Sequence, residues 1–541
     1  MLGITPPLNP LAADRQQARW ADEPARGLAR LLTARGWPLI IILAIQAALS
    51  LRLVWTATAF QDEALYLAVG HLELTHLQHH TPIPDFATYL SGAPVLYPPL
   101  GAIADSLGGL AAARLLSLAF MLVATVLLHG VTRRVLSSRT AACFAAALFG
   151  WIGPAQFLGA FATYDALALT LLALATWLGV RAASTRLPAR LMLITCGCVA
   201  LVVADATKYT ATLFDPVVVM VVALAVWQAR GRVAGLTAGA VMTLLTGALL
   251  AVAYRQAGPS YAQGIASTTL HRAAGADSVT AVLTLSVKAT GVIAVLAILG
   301  AAAVTFGRQR NAPTTALAWT MAAAEFLAPA EQARVHTTVS AFKHVGYGAW
   351  FASSVAGYLL VLLPRLSVHA RVRASLLNGT LAVCTAMVIL AGTIGASVAD
   401  AQYHDWPNSS AMIATLSGMS RPGGYYLIED SNVAAYYLRA GIQWAEIDNT
   451  FYFGYVNTKT GKYVSNQPAY AAAIRNRYFT TIVLAFGDTQ TVDQLILQDI
   501  SRYRTYRLLK IIPYQTSSGR GEYKIFTLAP VAKAPAHGRR K

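Results

Sequence analysis

WPLIIILAIQAALSLRLVWTATAFQDEALY, residues 37–66, carries the pattern that decides the fold. Residues 37–57 are an almost unbroken apolar run. Their number matches the roughly 20 residues a helix needs to cross a bilayer core. A few residues later two carboxylates stand side by side, Asp62 and Glu63. Outward from this stretch, long apolar runs separated by short polar breaks continue as far as Val398.

The composition agrees with that reading. The chain of 541 residues is 56% apolar and 12% charged, about half the charged fraction of an ordinary soluble domain. This excludes a soluble enzyme and a disordered chain. The net charge of +18 does not imply nucleic acid, because Arg-rich cytoplasmic loops give a membrane protein the same excess. No nucleic-acid partner is expected. Cys143, Cys196, Cys198 and Cys384 all fall inside apolar runs without zinc-ligand spacing, so they read as small core residues rather than a disulfide framework.

Ten further apolar runs follow the first, at about 110–130, 141–158, 165–180, 191–206, 211–227, 234–254, 285–306, 313–328, 350–363 and 376–398. The expected architecture is a polytopic α-helical membrane protein with about 11 transmembrane helices. Alternate loops hold Arg133, Arg134 and Arg139; Arg181, Arg186 and Arg190; Arg230 and Arg232; Arg308 and Arg310; Arg365, Arg371 and Arg373. All fall on the side of the Arg-containing N-terminal arm, and positive loops mark the cytoplasm. The first span reads as uncleaved, because a signal peptide has a shorter apolar stretch nearer Met1. Residues 1–36 are thus a cytoplasmic arm, and residues 37–398 a transmembrane domain with a long first outer loop at 58–109. The odd span count puts residues 399–529 outside. There, strand-like runs (425–428, 481–486, 506–513, 523–528) alternate with helix-like ones (433–439, 470–478, 492–503), the pattern of an extracytoplasmic α/β domain. Residues 530–541, rich in Pro, Ala and basic residues, read as a disordered tail.

Loop sorting leaves a second set of charged residues on the outer side, at helix ends. These are Asp62, Glu63, Asp165, Lys208, Glu331, Arg334, His336, Lys343 and His344. Ionisable groups at membrane spans are costly and usually functional, and outer Lys and Arg oppose the orientation bias. A negatively charged ligand at the outer interface explains both features. The first outer loop also carries His71, His76, His79 and His80, whose spacing can put two on one helical face. Without a clear carboxylate or thiolate companion they remain weak metal ligands. There is no Walker A sequence, no Gly-x-Ser-x-Gly and no His-Glu-x-x-His.

Four segments together resemble the GT-C membrane glycosyltransferases, in the branch that includes protein O-mannosyltransferases and the lipid A aminoarabinose transferase. Phe60–Gln61–Asp62–Glu63–Ala64–Leu65–Tyr66 is similar to the family's first outer-loop acidic motif, and Tyr97–Pro98–Pro99–Leu100 to its Pro-Pro-Leu element. Thr163–Tyr164–Asp165–Ala166–Leu167 resembles the second acidic motif, and Thr207–Lys208–Tyr209–Thr210 the Lys-containing turn two helices later. Residues 329–336 with Lys343 and His344 resemble an uncharacterised bacterial subgroup.

The resemblance implies a hexosyl- or pentosyl-type transferase in the plasma membrane. It would move a sugar with inversion from a polyprenyl-phosphate donor to an envelope glycan, lipid or protein on the outer face. It implies Asp62 as catalytic base, with Glu63 orienting it and Asp165 positioning the acceptor. Lys208, Arg334, Lys343, His336, His344 and Arg52 are the candidates for the donor phosphate, and Tyr97 and Tyr66 for positioning the loop or acceptor. A divalent metal is left open as a cofactor, with Asp62, Asp165, His79 and His80 as candidate ligands. A donor already activated as a lipid phosphate needs no nucleotide fold. A secondary transporter or flippase for an anionic lipid or sugar is the alternative, although the charges cluster on one face rather than at the midplane.

A reporter enzyme fused after Val398 is expected to be active only outside the cytoplasm. Activity confined to the cytoplasm overturns the parity of the span series and the grouping of the outer charges with it.

Overall fold

The computed structural model describes residues 36–307, 311–366, 373–421, 423–457 and 460–530. Residues 1–35 of the expected arm, residues 531–541 of the expected tail, and Arg308, Arg310 and Arg371 lie outside the described residues. So do the side chains of Arg365 and Arg373. The described chain forms two compact units. One contains 36–55 and 73–400, the other 56–72 and 401 onward.

The first unit is helical. Among the described residues nine helices are long and apolar enough to cross a membrane: Trp37–Val54, Tyr97–Val135, Tyr164–Ala182, Leu187–Thr207, Tyr209–Arg230, Arg232–Ala257, Val279–Phe306, Ala341–Leu363 and Ala382–Tyr403. Eleven runs were expected; the other two are interrupted. The run at 141–158 becomes Arg139–Trp151 and Gly153–Leu158, split at Ile152, whose ψ of 158° is extended. Pro154 accounts for this: it lacks the N–H that a continuous helix would bond to the Gly150 carbonyl, and its ring would clash with that carbonyl. A broken helix at membrane depth must satisfy its freed carbonyls from within the protein. Buried Gln156 does so, donating to Trp151 O at 2.5 Å. The run at 313–328 becomes Ala312–Ala323, a short 3₁₀ turn Ala324–Phe326, and Leu327–Arg334.

Ala341–Leu363 is the most enclosed span: 89% of its apolar 18-residue stretch is buried, against 22–67% in the other eight. It is packed by protein on nearly all sides, through small residues and interhelical hydrogen bonds. Trp350 Nε1 donates to Ala124 O at 2.9 Å, and Ser354 and Thr132 hydroxyls meet at 2.8 Å. A Cβ on Gly357 would lie 2.5 Å from Ala145 N and 2.6 Å from Ala141 O. The four cysteines are free thiols; Cys198 and Cys384 are buried, whereas Cys196 is exposed. Within the expected first outer loop, 58–109, a helix runs from Gln61 to His79.

The second unit is α/β. Its five-stranded sheet has the order β2-β1-β5-β7-β6. The strands are β1 (Tyr426–Ile428), β2 (Ile447–Asp448), β5 (Thr481–Leu484), β6 (Tyr506–Gln515) and β7 (Arg520–Leu528). β2, β1 and β5 run parallel, and β7 and β6 antiparallel. A separate hairpin pairs β3 (Gly454–Val456) with β4 (Tyr463–Ser465). All four expected strands and all three expected helices are present. β2, β3 and β4, at two or three residues each, are too short to show an alternation in sequence. The core packs Leu427, Phe453, Tyr455, Tyr470, Phe479, Ile482 and Phe526 together. Much of the domain's aromatic content is therefore ordinary packing.

Gly357→Val is expected to destabilise the helical unit by about 1–3 kcal/mol through overpacking, read as a lower melting temperature in detergent. Gly247→Val, where the added Cβ meets open space, is expected to leave it nearly unchanged.

Candidate functional site

Thr163 is the N-cap of helix Tyr164–Ala182. Its hydroxyl accepts from Asp165 N at 3.4 Å and donates to Asp165 Oδ2 at 3.1 Å. The carboxylate is thereby fixed in the first helical turn, where the helix dipole favours it. Asp165 is fully buried; His344 is 2% exposed, and Lys208 and Lys343 5% each. Lys208, Lys343 and His344 all act electrostatically on the Asp165 carboxylate. Four sequence-predicted residues thus come together from three helix ends.

Each partner is held in place. Helix Leu187–Thr207 ends at Lys208, which turns extended. The loop Ser91–Gly92–Ala93 clamps this turn: Ala93 N donates to Ala206 O at 2.7 Å and Tyr209 N to Ser91 O at 3.0 Å. Gly92 is required there, because a Cβ would overlap the Thr207 carbonyl oxygen. Lys208 Nζ donates to Ser91 Oγ at 3.1 Å and lies 4.6 Å from the Tyr164 ring centroid, a cation–π distance. Lys343 lies 5.6 Å from the Phe161 ring. Tyr97 is buried and meets Tyr164 edge-on at 6.4 Å. Tyr347 OH donates to Asp165 O at 3.1 Å.

His344 has a defined tautomer. Ser340 Oγ donates to Gln332 Oε1 at 3.2 Å, which turns the Gln332 amide nitrogen toward His344 Nδ1 at 2.9 Å. Nδ1 therefore accepts, and the ring proton sits on Nε2, 3.7 Å from Asp165 Oδ1. Gln332, Ser91 and Tyr347 were not anticipated as site residues. Nor was Arg272, a loop cation that acts electrostatically on His344.

Other candidates are engaged elsewhere. Arg52 pairs with Asp400 at 2.9 Å and donates to Ala396 O and Gln156 Oε1, bracing the broken helix. Arg334 is exposed and bidentate to Glu331 at 2.7 and 2.8 Å. His336, at positive φ, has Nδ1 3.0 Å from Asp277 O, where it anchors the 275–277 loop. His79 and His80 are exposed. Among the described residues no three His, Cys, Asp or Glu side chains are grouped to hold a metal ion.

The acidic pair belongs to the second unit. Phe60 caps helix Gln61–His79, and buried Glu63 reaches back to accept from Phe60 N at 3.1 Å, a capping function. Asp62 is half-buried beside it, and Tyr66, one turn on, is buried. Ala59, Phe60 and Gln61 line a cavity of about 290 Å³ with Trp406, Glu429, Asp430 and Asp488. Burial pushes the Asp488 carboxyl up, with Glu429, Asp62 and Asp405 adding to it. Burial also raises Asp430, to about 6.

Neither protein-family models nor curated proteins give a match to this chain. Among solved structures, the fold is similar to that of ArnT from Cupriavidus metallidurans. The form bound to undecaprenyl phosphate aligns at 13% identity with a TM-score of 0.55, and the apo form at 14% with 0.52. Each comparison covers 91% of this chain and 98% of the other. The fold anticipated from the sequence, a polytopic helical unit with a C-terminal α/β unit, is the fold observed, and it is similar to that of these ArnT structures.

Gln332→Leu is expected to release the His344 ring from its Nε2–H form. In ¹⁵N-histidine spectra the His344 signals should pass from one tautomer to a mixture. An unchanged tautomer would show that Gln332 does not set it.

Proposed function

We propose that this chain is an inverting membrane glycosyltransferase that takes its sugar from a polyprenyl-phosphate donor and passes it to an envelope acceptor at the outer face of the plasma membrane. One observation carries the reading. Two buried lysines, 208 and 343, converge on the Asp165 carboxylate at the ends of membrane helices, in a fold like that of a transferase solved with undecaprenyl phosphate.

A lipid phosphate leaving group gains negative charge as its bond to the anomeric carbon breaks. Preorganised ammonium groups lower that barrier most where water is excluded. Lys208 and Lys343 supply them, with Asp165 and the Nε2–H of His344 fixing their positions. Lys208 follows a helix C-terminus, which suits a cation; Lys343 sits at a helix N-terminus, which does not. An anion shared between the two relieves the second. The acceptor hydroxyl attacks the anomeric carbon, its proton passes to Asp62, and the electron pair of the broken C–O bond goes to the phosphate. Glu63 caps its helix and so holds Asp62 in place.

The transporter reading has one observation in its favour. Asp205 and Asp215, on consecutive spans, act electrostatically on one another, and carboxylates within spans are what proton-coupled carriers use.

Purified protein given a polyprenyl-phosphate sugar and envelope acceptor is expected to release polyprenyl phosphate. Asp62→Asn should cut transfer by roughly 10²–10⁴-fold with donor affinity retained. Lys208→Ala should weaken donor binding and slow turnover together, and Lys208→Arg should keep part of both. Movement of the lipid without cleavage would establish the transporter instead. Wild-type kinetics in both Asp62→Asn and Lys208→Ala would remove these residues from the site.

A further inference from the structure

The sheet of the second unit winds in two directions. From β1 the chain passes to β2 on one side, then returns through the β3–β4 hairpin and helix Gln467–Arg475 to β5 on the other side of β1. The direction therefore reverses between β1 and β5. In open α/β sheets the crevice beyond the carboxyl ends of the strands at such a reversal is where ligands bind. The segments leaving those two ends are Glu429–Asp430 and Ala485–Gly487–Asp488, and both line the cavity of about 290 Å³. Topology and cavity, independent observations, mark the same place.

The walls describe what fits. Glu429 is buried and immobile, accepting from the backbone N–H of Ala485, Gly487 and Thr489 at 2.8–3.1 Å. Asp430 Oδ2 accepts from Tyr523 OH at 2.7 Å. Asp405 and Asp488 add two more carboxyl groups, and Arg520 is the one cation in the lining. Trp406 and Tyr514 give aromatic surface. A cavity so rich in acceptors repels phosphates and uronates and favours a ligand that offers hydroxyl or ammonium donors. Its volume lies at the small end of the roughly 300–1,000 Å³ range of ligand pockets, which suits a sugar unit better than a lipid. The third wall, Ala59–Gln61, is the turn immediately before Asp62.

We propose that this cavity binds the acceptor, and that the acceptor presents a non-anionic sugar unit, neutral or amino-bearing. This rests on the transferase reading above and names its substrate class. The sugar's donors fall to the carboxylates at the strand ends, its ring lies against the aromatic wall, and a remaining hydroxyl is directed to Asp62.

Saturation-transfer NMR on the full-length protein in detergent tests this with three probes: methyl glucosaminide, methyl glucoside and methyl glucuronide. The first two are expected to bind and the glucuronide not. Asp488→Asn, a near-isosteric change that should leave the fold intact, is expected to weaken the glucosaminide about tenfold, the loss of one charge-assisted hydrogen bond. Equal binding of the glucuronide, or no binding of the first two probes, overturns the proposal. So does unchanged glucosaminide affinity in a folded Asp488→Asn. Cleavage of the lipid donor is read separately. Sugar binding in a protein that cleaves no polyprenyl-phosphate donor keeps the cavity and refutes the transferase; cleavage with an anionic acceptor only does the reverse.

Discussion

A carboxylate held entirely out of water must be neutralised where it stands, and Asp165 is such a carboxylate. Removing one partner from a buried charged group costs about 3–5 kcal/mol, because the remaining charge is stranded. That penalty ties distant parts of the chain to a single arrangement. Lys208 arrives on a turn that the Ser91–Ala93 loop clamps, and Lys343 and His344 arrive on the most enclosed span. His344 is in turn oriented by Gln332 and Ser340. Each contact serves the local geometry, but the requirement they all answer is electrostatic.

A second group of contacts answers a backbone requirement. The interruption at Ile152 frees carbonyls that lipid cannot satisfy, and Gln156 satisfies one of them from the protein side. Arg52 holds Gln156 while pairing with Asp400. A polar cluster of this kind looks functional among membrane-embedded residues, yet Arg52 bonds only parts of the brace, Asp400, Ala396 O and Gln156. The distinction matters for the lysines, whose contacts converge on an acid at a helix start rather than on a helix break.

Those two kinds of charge carry the same signature in sequence. Asp165, Lys208, Lys343 and His344 were legible because each stands at the end of an apolar run, on the same side of the expected span series. Arg52 and Arg334 share that signature, but one finds Asp400 almost 350 residues away and the other a carboxylate three residues before it. Only pairing in space separates them. Gln332 and Ser91 carry no charge and no periodicity, so nothing in one dimension singles them out. The nine helices long and apolar enough to cross a membrane follow directly from composition, although one of them, Tyr97–Val135, is kinked at Gly108 and Gly109. The two interrupted ones were masked by the same composition, although Gly153–Pro154 was a local sign of a break. Strands of two residues such as β2 leave no alternation to read, and the reversal of winding beside β1 depends on β2.

The membership of residues 56–72 in the C-terminal unit has a consequence for synthesis. That segment leaves the ribosome about 330 residues before Ala401, the start of the rest of its unit. Throughout that interval Ala59 N lacks the Tyr437 hydroxyl that it bonds at 2.9 Å, and Phe60 lacks the Trp406 ring 5.1 Å away. Closing so long a loop carries an entropic cost that grows only slowly with its length, so the delay is a matter of timing more than of stability. The turn bearing Asp62 gains these contacts only after Trp406 and Tyr437 have been made. A nascent chain can therefore insert its helices early while the acidic pair stays undocked until the C-terminal unit is being made.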